Sequence, residues 1–405
     1  MASSNISRGN WHSVFAGFMG WTLDAFDFFV VIFLIDTLTA HFHVPKSQII
    51  LTLTATLAMR PVGALIFGLL ADRYGRRVPL MANVIFYSVI GFSCGFVDSF
   101  WVFIVLRALY GIGMGGEWGV GASLAMESAP RKWRGLISGI LQSGYSIGYL
   151  LAAVAARLVL PTLGWRWMFW IGGIPALLAL YIRSRVPESE AWKQHRKDTV
   201  GEIVQTVRSH FGLFAYLVMT LTFFTFLSHG TQDLYPDFLK NEIHINAKTV
   251  ANLAILYNIG AILGAIIFGH LSETLGRRKA IVAALLLSLL VIPWWAFGNR
   301  LLVVAIGAFI MQMGVQGAWG IVPAHLNEMA PDAVRGVFPG LAYQMGILFG
   351  AGTNTIEFAL RNRWGYSWAL AGFEMVTILL LGTAVLLGKE QKGKHFVREQ
   401  VAVVE

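Results

Sequence analysis

Charged side chains are scarce in this sequence of 405 residues. They make up 13% of the chain, whereas 56% of the residues are hydrophobic. An ordinary soluble domain has about 25% charged residues, so this chain has too little polar surface to cover a water-soluble globule. Apolar runs of about 20 residues recur from one end to the other, and each is long enough to cross a bilayer as a helix. The composition therefore predicts an all-α membrane protein.

Several signals of other protein classes are missing. Cys94 is the one cysteine, so no internal disulfide can form. The sequence contains no H-E-x-x-H pattern and no Walker-type phosphate loop, which argues against a zinc enzyme and against an ATP-driven pump. A removable signal peptide is not expected, because the first apolar stretch contains Asp24 and Asp27. We expect neither an enzyme nor, since the polar tails are short, a membrane receptor.

Twelve spans are predicted, six on either side of the one long polar stretch, residues 186–211. Of the 31 Lys and Arg residues, 21 fall on the side that would hold both termini, eight fall on the other side, and Arg60 and Arg107 fall within spans. The positive-inside rule then predicts cytoplasmic termini, and the short tails favour an inner (plasma) membrane. The predicted organisation is an N-terminal six-helix bundle (1–186), a cytoplasmic linker (187–211), a C-terminal six-helix bundle (212–388) and a cytoplasmic tail (389–405). The spans lie near 14–38, 48–70, 79–97, 101–126, 135–160, 166–185, 212–238, 248–271, 280–298, 301–325, 336–360 and 366–388.

The two halves resemble each other at one constant offset. GLLADRYGRR at residues 68–77 matches GHLSETLGRR at residues 269–278, and Trp118 matches Trp319, each pair being 201 residues apart. A fixed offset at separate landmarks indicates an internal repeat. It predicts two six-helix, pseudo-symmetric halves related as parallel repeats.

Ionisable residues inside predicted spans are candidates for function, because a charge at mid-bilayer costs about 2.5–3.5 kcal/mol. Arg60 could hold the carboxylate of an anionic substrate, since a guanidinium forms two parallel hydrogen bonds with a carboxylate. Alternatively Arg60 pairs permanently with Asp24 or Asp27, and the sequence does not decide which. The acids outnumber this base, so Asp24, Asp27 and Glu117 are candidates for proton coupling. Glu117 could instead simply pair with Arg107.

The stretch FLSHGTQDLYP at residues 226–236 places several polar groups near the outer end of predicted span seven. His229 and Asp233 are four residues apart and can touch on one helix face, and Pro236 should end or bend the helix. We interpret them as a proton and anion station in which Gln232 donates to the substrate. The alternative is a capped helix end at the membrane surface. Asn354 in span eleven could complete the substrate site or could only join helices.

Two motifs resemble the signature loops of the major facilitator superfamily. They are G-x-L-A-D-R-x-G-R-R at residues 68–77 and R-A-L-Y-G-I-G-M-G-G at residues 107–116. The resemblance covers nearly the whole chain and implies the major facilitator fold, with alternating access to a central site between the two halves. It also implies a gate of salt bridges, in which Asp72 meets a helix N-terminus or Arg134. The gating residues expected from this resemblance are Asp72, Arg76, Arg77, Arg107 and Arg134.

Span seven resembles a narrower group. The stretch S-H-G-T-Q-D is similar to the signature N-x-x-[ST]-H-x-[ST]-Q-D-x-x-x-T of the lactate/pyruvate permeases in the sialate:proton symporter branch, although Thr225 and Asp237 replace its first and last residues. The resemblance implies that His229 and Asp233 couple protons and that Gln232 recognises substrate.

The implied function is proton-coupled symport of small monocarboxylates such as lactate or pyruvate. The alternative is a larger organic acid, either sialate or an aromatic acid. We expect a monomer whose partners are a small organic anion, protons and the lipid bilayer, with no nucleic acid. The proton is the coupling ion, and no metal or other cofactor is expected.

Overall fold

The computed structural model describes residues 8–195 and 199–397. Within these residues the secondary structure is helical and contains no strand. Residues 196–198 of the predicted linker and 398–405 of the predicted tail lie outside the described residues.

The first predicted half is made of long apolar helices that cross back and forth. A short 3-10 helix, Cys94–Phe96, extends the third crossing, and another, Arg131–Trp133, precedes the fifth. The α-helices are α1 (Arg8–Phe33), α2 (Ile35–Phe42), α3 (Lys46–Tyr74), α4 (Arg77–Ser93), α5 (Phe100–Ser128), α6 (Arg134–Leu158), α7 (Leu160–Leu163), α8 (Trp165–Ile171) and α9 (Ala176–Arg185).

Two short helices occupy the polar stretch between the halves, and the second half then repeats the same pattern. A 3-10 helix, Asp332–Val334, corresponds to Arg131–Trp133 of the first half. The remaining α-helices are α10 (Glu190–His195), α11 (Val200–Ser209), α12 (Phe211–Gln232), α13 (Tyr235–Asn241), α14 (Ala247–Leu275), α15 (Arg277–Phe297), α16 (Leu301–Met329), α17 (Phe338–Gly350), α18 (Thr353–Trp364) and α19 (Tyr366–Leu387).

Eleven helical segments of the described chain are long and apolar enough to cross a membrane. The remaining predicted span, the eleventh (residues 336–360), is present but is divided into α17 and α18 by a turn at Ala351 and Gly352. Gly350 and Gly352 flank the turn, and glycine loses more backbone freedom in a helix than any other residue.

Three other predicted spans are also interrupted. The first span breaks at Leu34 between α1 and α2, and the sixth breaks at residues 172–175 between α8 and α9. The seventh breaks at Asp233 and Leu234, and Pro236 then lies in the first turn of α13, where its missing N–H costs no helix hydrogen bond. The prediction that Pro236 ends or bends span seven is confirmed.

Glycines let α3 and α5 approach each other closely in the first half. A Cβ at Gly111 would meet the backbone of Thr56, and a Cβ at Gly115 would meet the backbone of Arg60. Small residues are the usual contact points between membrane helices, because no large side chain separates the backbones. The backbone that carries Arg60 is therefore positioned by α5.

Gly115→Ala is expected to destabilise the protein by about 1–3 kcal/mol, the usual cost of overpacking a dense interior. The added methyl group must push α3 away and thereby displace Arg60. The measurement is thermal unfolding of the purified protein in detergent. Gly372→Ala is the matched control, because a Cβ at Gly372 meets only the far end of Trp364 at 3.9 Å. Equal melting temperatures for the two variants would contradict this account of the α3–α5 contact.

The two halves also contact each other through small residues. Gly119 of α5 lies against Gly340 of α17, Gly68 of α3 lies against Val337, and Gly139 of α6 lies against Ala265 of α14. These contacts bring α3 and α5 against α17 and bring α6 against α14. The space that remains between the halves is the cavity described next.

Candidate functional site

A cavity of about 330 Å³ lies between the two halves. Its volume is at the lower end of the range of ligand pockets, about 300–1,000 Å³. Helices α1, α3 and α6 of the first half and α12, α16 and α17 of the second half contribute to its wall. The lining residues are Phe28, Phe29, Ile32, Leu53, Leu57, Arg60, Gln142, Tyr145, Thr225, Ser228, His229, Gln232, Asp233, Gln316, Trp319, Tyr343 and Ile347.

Arg60 provides a buried guanidinium group to this cavity. It lies about 21 Å along α3, its side chain is 3% exposed, and its Nε and Nη2 atoms have no hydrogen-bond partner among the described residues. No ion pair joins Arg60 to Asp24 or Asp27 in the described part of the chain, so the alternative of a permanent pair is not what the structure shows. The guanidinium is free to bind an anion.

His229 and Asp233 form an ion pair on the opposite wall, at the end of α12. His229 Nδ1 lies 3.0 Å from Asp233 Oδ2, and Asn354 Nδ2 donates to the same oxygen at 2.9 Å. An ionised carboxylate can only accept, so His229 must carry its proton on Nδ1 in this contact. Asn354 itself does not line the cavity.

Gln232 lines the cavity and is also held by a neighbouring helix. Its Nε2 donates to Gln312 Oε1 at 2.7 Å, and Gln312 Nε2 donates to Thr231 Oγ1 at 3.1 Å. One N–H of the Gln232 amide is therefore engaged with α16. Its second N–H and its oxygen are the groups that remain for a substrate.

Asp24, Asp27 and Glu117 lie behind the cavity wall and are fully buried. Tyr110 Oη donates to Asp24 Oδ1 at 2.9 Å. The Asp27 carboxyl lies between α4 and the segment after α8, where it would meet a Cβ at either Gly91 or Gly172. Neither Asp27 oxygen nor either Glu117 oxygen has a hydrogen-bond partner in the described chain.

Arg107 is also buried, but it does not pair with Glu117. Its guanidinium lies over the ring of Tyr110, 4.2 Å from the centroid, a favourable cation–π arrangement. Glu117 is turned instead toward Gly20 of α1. The sequence-based alternative of an Arg107–Glu117 pair was therefore wrong.

Aromatic rings form much of the wall near Arg60. Tyr343 stacks on Trp118 at 3.8 Å between centroids, and Trp319 meets the edge of Tyr343 at 5.5 Å. The two tryptophans are the repeat-related pair, and Tyr343 joins them. Sequence reasoning missed Trp319 as a lining residue, although its match to Trp118 could have suggested it. It also missed Gln142 and Gln316.

Four buried arginines lie at one end of the molecule: Arg76, Arg134, Arg277 and Arg335. We call this end, which includes the loops at residues 74–77, 129–134, 275–277 and 330–337, the arginine-rich end. Glu127 accepts from Arg76 at 3.0 Å and from Arg335 of the other half at 3.1 Å. Glu328 accepts from Arg277 at 2.8 Å and from Arg134 of the other half at 3.1 Å.

These two clusters are related by the 201-residue repeat. Each glutamate binds one arginine of its own half and one of the opposite half. Six buried charged groups are therefore arranged with pseudo-twofold symmetry across the boundary between the halves. Breaking that boundary would leave charges unpaired in a buried setting, which is costly.

Asp72 joins the halves at the same end. Its Oδ1 accepts from Gly336 N at 2.7 Å and from Arg76 Nη1 at 2.6 Å, and its Oδ2 accepts from Val337 N at 2.9 Å. Asp72 thus meets the N-terminus of α17, whereas Arg134 binds Glu328. Of the two partners allowed by the sequence, the structure shows the helix N-terminus. The repeat-related Glu273 likewise accepts from Gly135 N.

The remaining predicted gating residues differ in position. Burial lowers the pKa of Arg76, but the nearby carboxylates of Glu127 and Asp72 outweigh this and raise it above its ordinary value, so Arg76 stays charged. Arg77 contacts its own half, because its N–H donates to Glu188 Oε2 and its guanidinium to the Arg183 carbonyl. Arg107 lies near the opposite end of α5 and does not contact this network.

The tail after α19 covers the arginine-rich end. The ring of Phe396 is 4% exposed and lies between the guanidinium groups of Arg134 and Arg335, at 3.8 Å and 4.1 Å from its centroid. Lys394 pairs with Asp332 at 3.0 Å. Contacts from the tail therefore reach both halves at once.

The cavity is closed at the arginine-rich end and accessible from the other side. Arg76, Arg335 and Glu127 side chains are 0–1% exposed, whereas those of His229 and Asp233 are 37% and 34% exposed. The structure therefore represents a conformation in which the cavity opens on the side opposite the arginine-rich end.

Features of an enzyme site are not found in the described ranges. They contain no group of three or more His, Cys, Asp or Glu side chains that could hold a metal ion. Two G-x-S-x-G pentapeptides, residues 91–95 and 144–148, lie in helical segments rather than at the strand-to-helix turn that exposes a nucleophilic serine.

Comparison with known proteins agrees with this architecture. Residues 17–232 match the family model of the Major Facilitator Superfamily, and residues 208–388 match that of "Sugar (and other) transporter". A solved structure of the proton:xylose symporter XylE superposes with a TM-score of 0.80 at 20% identity, over 97% of this chain and 98% of that one.

Two curated proteins illustrate the range of relatives. A carboxylic acid transporter protein homolog of Saccharomyces cerevisiae is 30% identical over 88% of this chain, which spans 62% of the yeast protein. The sialic acid transporter NanX of Escherichia coli is 27% identical over 91% of this chain and 93% of its own length. The chain therefore belongs to the major facilitator superfamily and is a membrane transporter rather than an enzyme.

Proposed function

We propose that the protein is a proton-coupled symporter of small monocarboxylates of the lactate and pyruvate class. The observation that carries the proposal is Arg60, a buried guanidinium that forms no ion pair with the described residues and shares a cavity with the His229–Asp233 pair. A buried cation without a partner is unfavourable, and a bound carboxylate would relieve this by two parallel hydrogen bonds. The curated relatives named for carboxylic and sialic acids support an organic acid as substrate.

Proton coupling is supported by the excess of protonatable groups. Among the side chains that line the cavity, His229 is the one whose ordinary pKa lies nearest to neutrality. Asp233 holds it in the cavity wall. Asp24, Asp27 and Glu117 lie between the cavity and the outer helices and can carry protons behind it. A proton that enters with the anion offsets its charge, so that the loaded protein can rearrange across the membrane.

The transport cycle that we propose is alternating access by two bundles, residues 1–186 and 212–388. The arginine-rich end would be cytoplasmic, as would both termini, in an inner (plasma) membrane, and the transporter would act as a monomer. Asp72 and Arg134 would hold the outward-facing state through their contacts with the other half. Arg76 would contribute through Asp72 and Glu127, which both contact the other half. Arg77 would support this gate from within its own half, and Arg107 would act apart from it, near Asp24 and Asp27.

Uptake of radiolabelled lactate into proteoliposomes tests the proposal. Wild-type protein should accumulate lactate when the outside is made acidic, and a protonophore should remove this accumulation. Uptake that is the same with and without the pH gradient would refute proton coupling. Protein-free liposomes provide the control for passive entry of the uncharged acid.

His229→Gln is expected to lower gradient-driven lactate accumulation about tenfold or more, because one proton-binding group of the cavity is lost. Glutamine keeps a hydrogen-bond donor that can reach Asp233 but cannot take up a proton. Lactate exchange at equal pH should persist, which separates coupling from binding. The matched control is His244→Gln, since His244 lies in the exposed loop before α14. Normal acid-driven accumulation by the His229 variant would count against its role.

A larger acid is the second candidate, and the aromatic wall of the cavity favours it. This wall contains the rings of Tyr145, Trp319 and Tyr343. An aromatic acid or sialate could bind its carboxylate at Arg60 and use the rings for its body. Competition of labelled lactate uptake by pyruvate, benzoate and sialate decides between the two, since the preferred acid competes at the lowest concentration.

A further inference from the structure

Two glutamates of the second half take no part in the cavity or in the arginine-rich end. Glu374 of α19 is 0% exposed and Glu357 of α18 is 1% exposed. None of their carboxyl oxygens has a hydrogen-bond partner within the described residues. In the same part of the chain, neither glutamate forms an ion pair with a Lys, Arg or His. A side chain of this kind needs an explanation, because buried polar groups in native proteins are nearly always satisfied.

Glu374 lies against the turn of α12 that carries the His229–Asp233 pair. A Cβ at Gly230 would collide with Glu374 Oε1 and meet the ring of Phe373. The absence of a side chain at Gly230 therefore allows the carboxyl to reach the backbone of α12. The helix ends at Gln232, two residues beyond Gly230. The carboxyl is thus directed at the turn that precedes the helix break.

Glu357 approaches the same turn from α18. It lies three residues after Asn354, so the two side chains share a helix face. Asn354 donates to Asp233 Oδ2 at 2.9 Å, and α12 packs against both α18 and α19. Three carboxyl groups therefore lie near one turn of α12, and among the residues that the structure describes only Asp233 of the three has a basic partner.

The neighbouring helices offer no cation to the two glutamates. Arg361 follows Glu357 by four residues, but it pairs with Asp237 at 3.4 Å and lies over the Tyr366 ring. Helix α15, which also packs against α19, has no ionisable residue between Lys279 and its end at Phe297. Helix α12 offers His229, which Asp233 already holds. An unpaired carboxylate is costly at membrane depth, so both glutamates are held here as neutral acids.

We infer that Glu357 and Glu374 form a second proton-binding site, located in the second half behind the broken helix α12 and separate from the cavity. This inference rests on the proposed proton coupling. In the present conformation each carboxyl keeps its proton. When α12 moves at its break, water reaches the turn at Gly230; the carboxyl O–H bond breaks, the proton passes to water, and a carboxylate remains. Protonation from the other side of the membrane resets the site.

Infrared difference spectroscopy tests this site with the proton alone as probe. Spectra of substrate-free proteoliposomes are recorded at neutral pH, where exposed carboxyl groups are ionised, and in alkali, and the carbonyl stretch of neutral carboxylic acids is compared between variants. Glu374→Gln and Glu357→Gln should each lose part of that band. Glu242→Gln, which changes an exposed loop residue, is the control and should keep the whole band. A band that is identical in the wild type and in both buried-site variants overturns the inference.

A transport measurement separates this inference from the proposed function. If the wild type shows no proton-driven uptake of lactate or of the competing acids, the proposed function fails, while the infrared result still reports on the glutamates. If the wild type accumulates lactate, Glu374→Gln should keep lactate exchange at equal pH and lower the ratio of protons to lactate, measured with an internal pH dye. An unchanged ratio overturns the inference even where accumulation is normal.

Discussion

Arg60→Lys is expected to lower lactate uptake severely at concentrations near the KM of the wild type. An ammonium group is a point charge and cannot form the two parallel hydrogen bonds of a guanidinium with a carboxylate. Losing one charge-assisted hydrogen bond costs about 1.5–3 kcal/mol, which corresponds to a ten- to hundredfold loss of affinity (~1.4 kcal/mol per tenfold). The concentration dependence of radiolabelled uptake measures this loss as a raised KM.

The control for this variant is the same substitution at a position outside the cavity. Arg300→Lys makes the same substitution at an exposed position before α16, where no substrate contact is proposed, and it should transport as the wild type does. Thermal unfolding of both variants shows whether the fold is intact. Undiminished uptake by Arg60→Lys, with a normal KM, would refute the role of Arg60 as the substrate anchor.

The sequence predicted the fold class because its main signals are local or periodic. Long apolar runs mark the spans, and the 201-residue offset marks the two halves without any knowledge of packing. The interruptions within spans were harder to predict, because glycine can either allow two helices to pack closely or mark a helix break. The glycine-rich stretch at residues 111–121 lies in the unbroken helix α5, where it admits Thr56 and Arg60 of α3, whereas Gly350 and Gly352 flank a break. Proline is equally ambiguous, because Pro236 follows a break in span seven, whereas Pro61, Pro293 and Pro323 lie within the unbroken helices α3, α15 and α16.

Contacts within one helix turn were likewise accessible to sequence reasoning. His229 and Asp233 are four residues apart, and that spacing predicts the contact that the structure shows at 3.0 Å. Contacts between helices were not accessible, because spacing along the chain does not fix them. The candidate pairs of Arg60 with Asp24 or Asp27 were open alternatives, and the structure separates these groups. Their roles in coupling stay predictions.

The contacts between the two halves at the arginine-rich end also could not be predicted from the sequence. The repeat relates Glu127 to Glu328 and Arg134 to Arg335, but it does not say that each glutamate takes an arginine from the opposite half. A contact between a glutamate and an arginine of opposite halves requires the two halves to meet at this end. The sequence does not say in which conformation they do so. In the proposed transport cycle the same contacts would separate when the cavity opens on this side, so their strength would set the balance between the two states.

Asp72→Asn is expected to shift that balance toward the state that is open at the arginine-rich end. The carboxylate accepts from Gly336 N and Val337 N of the other half, and from Arg76. Asparagine keeps one acceptor oxygen, but its amide nitrogen then faces an N–H donor. Charge-assisted hydrogen bonds contribute about 1.5–3 kcal/mol each, so the equilibrium should move at least about tenfold (~1.4 kcal/mol per tenfold). Lactate affinity should change much less than turnover, because the cavity is unaltered.

Distances between spin labels on the two halves measure this shift. Cysteines replacing Lys132 and Lys279, both exposed at the arginine-rich end, carry the labels, and Asp72→Asn should increase the population at longer separation. Asp98→Asn is the matched control. Asp98 is 73% exposed and pairs with His41 and Arg166 at the opposite end, where such surface pairs contribute about 1 kcal/mol or less. Identical distance distributions in the wild type and Asp72→Asn would show that the bonds to Gly336 and Val337 do not hold the halves together.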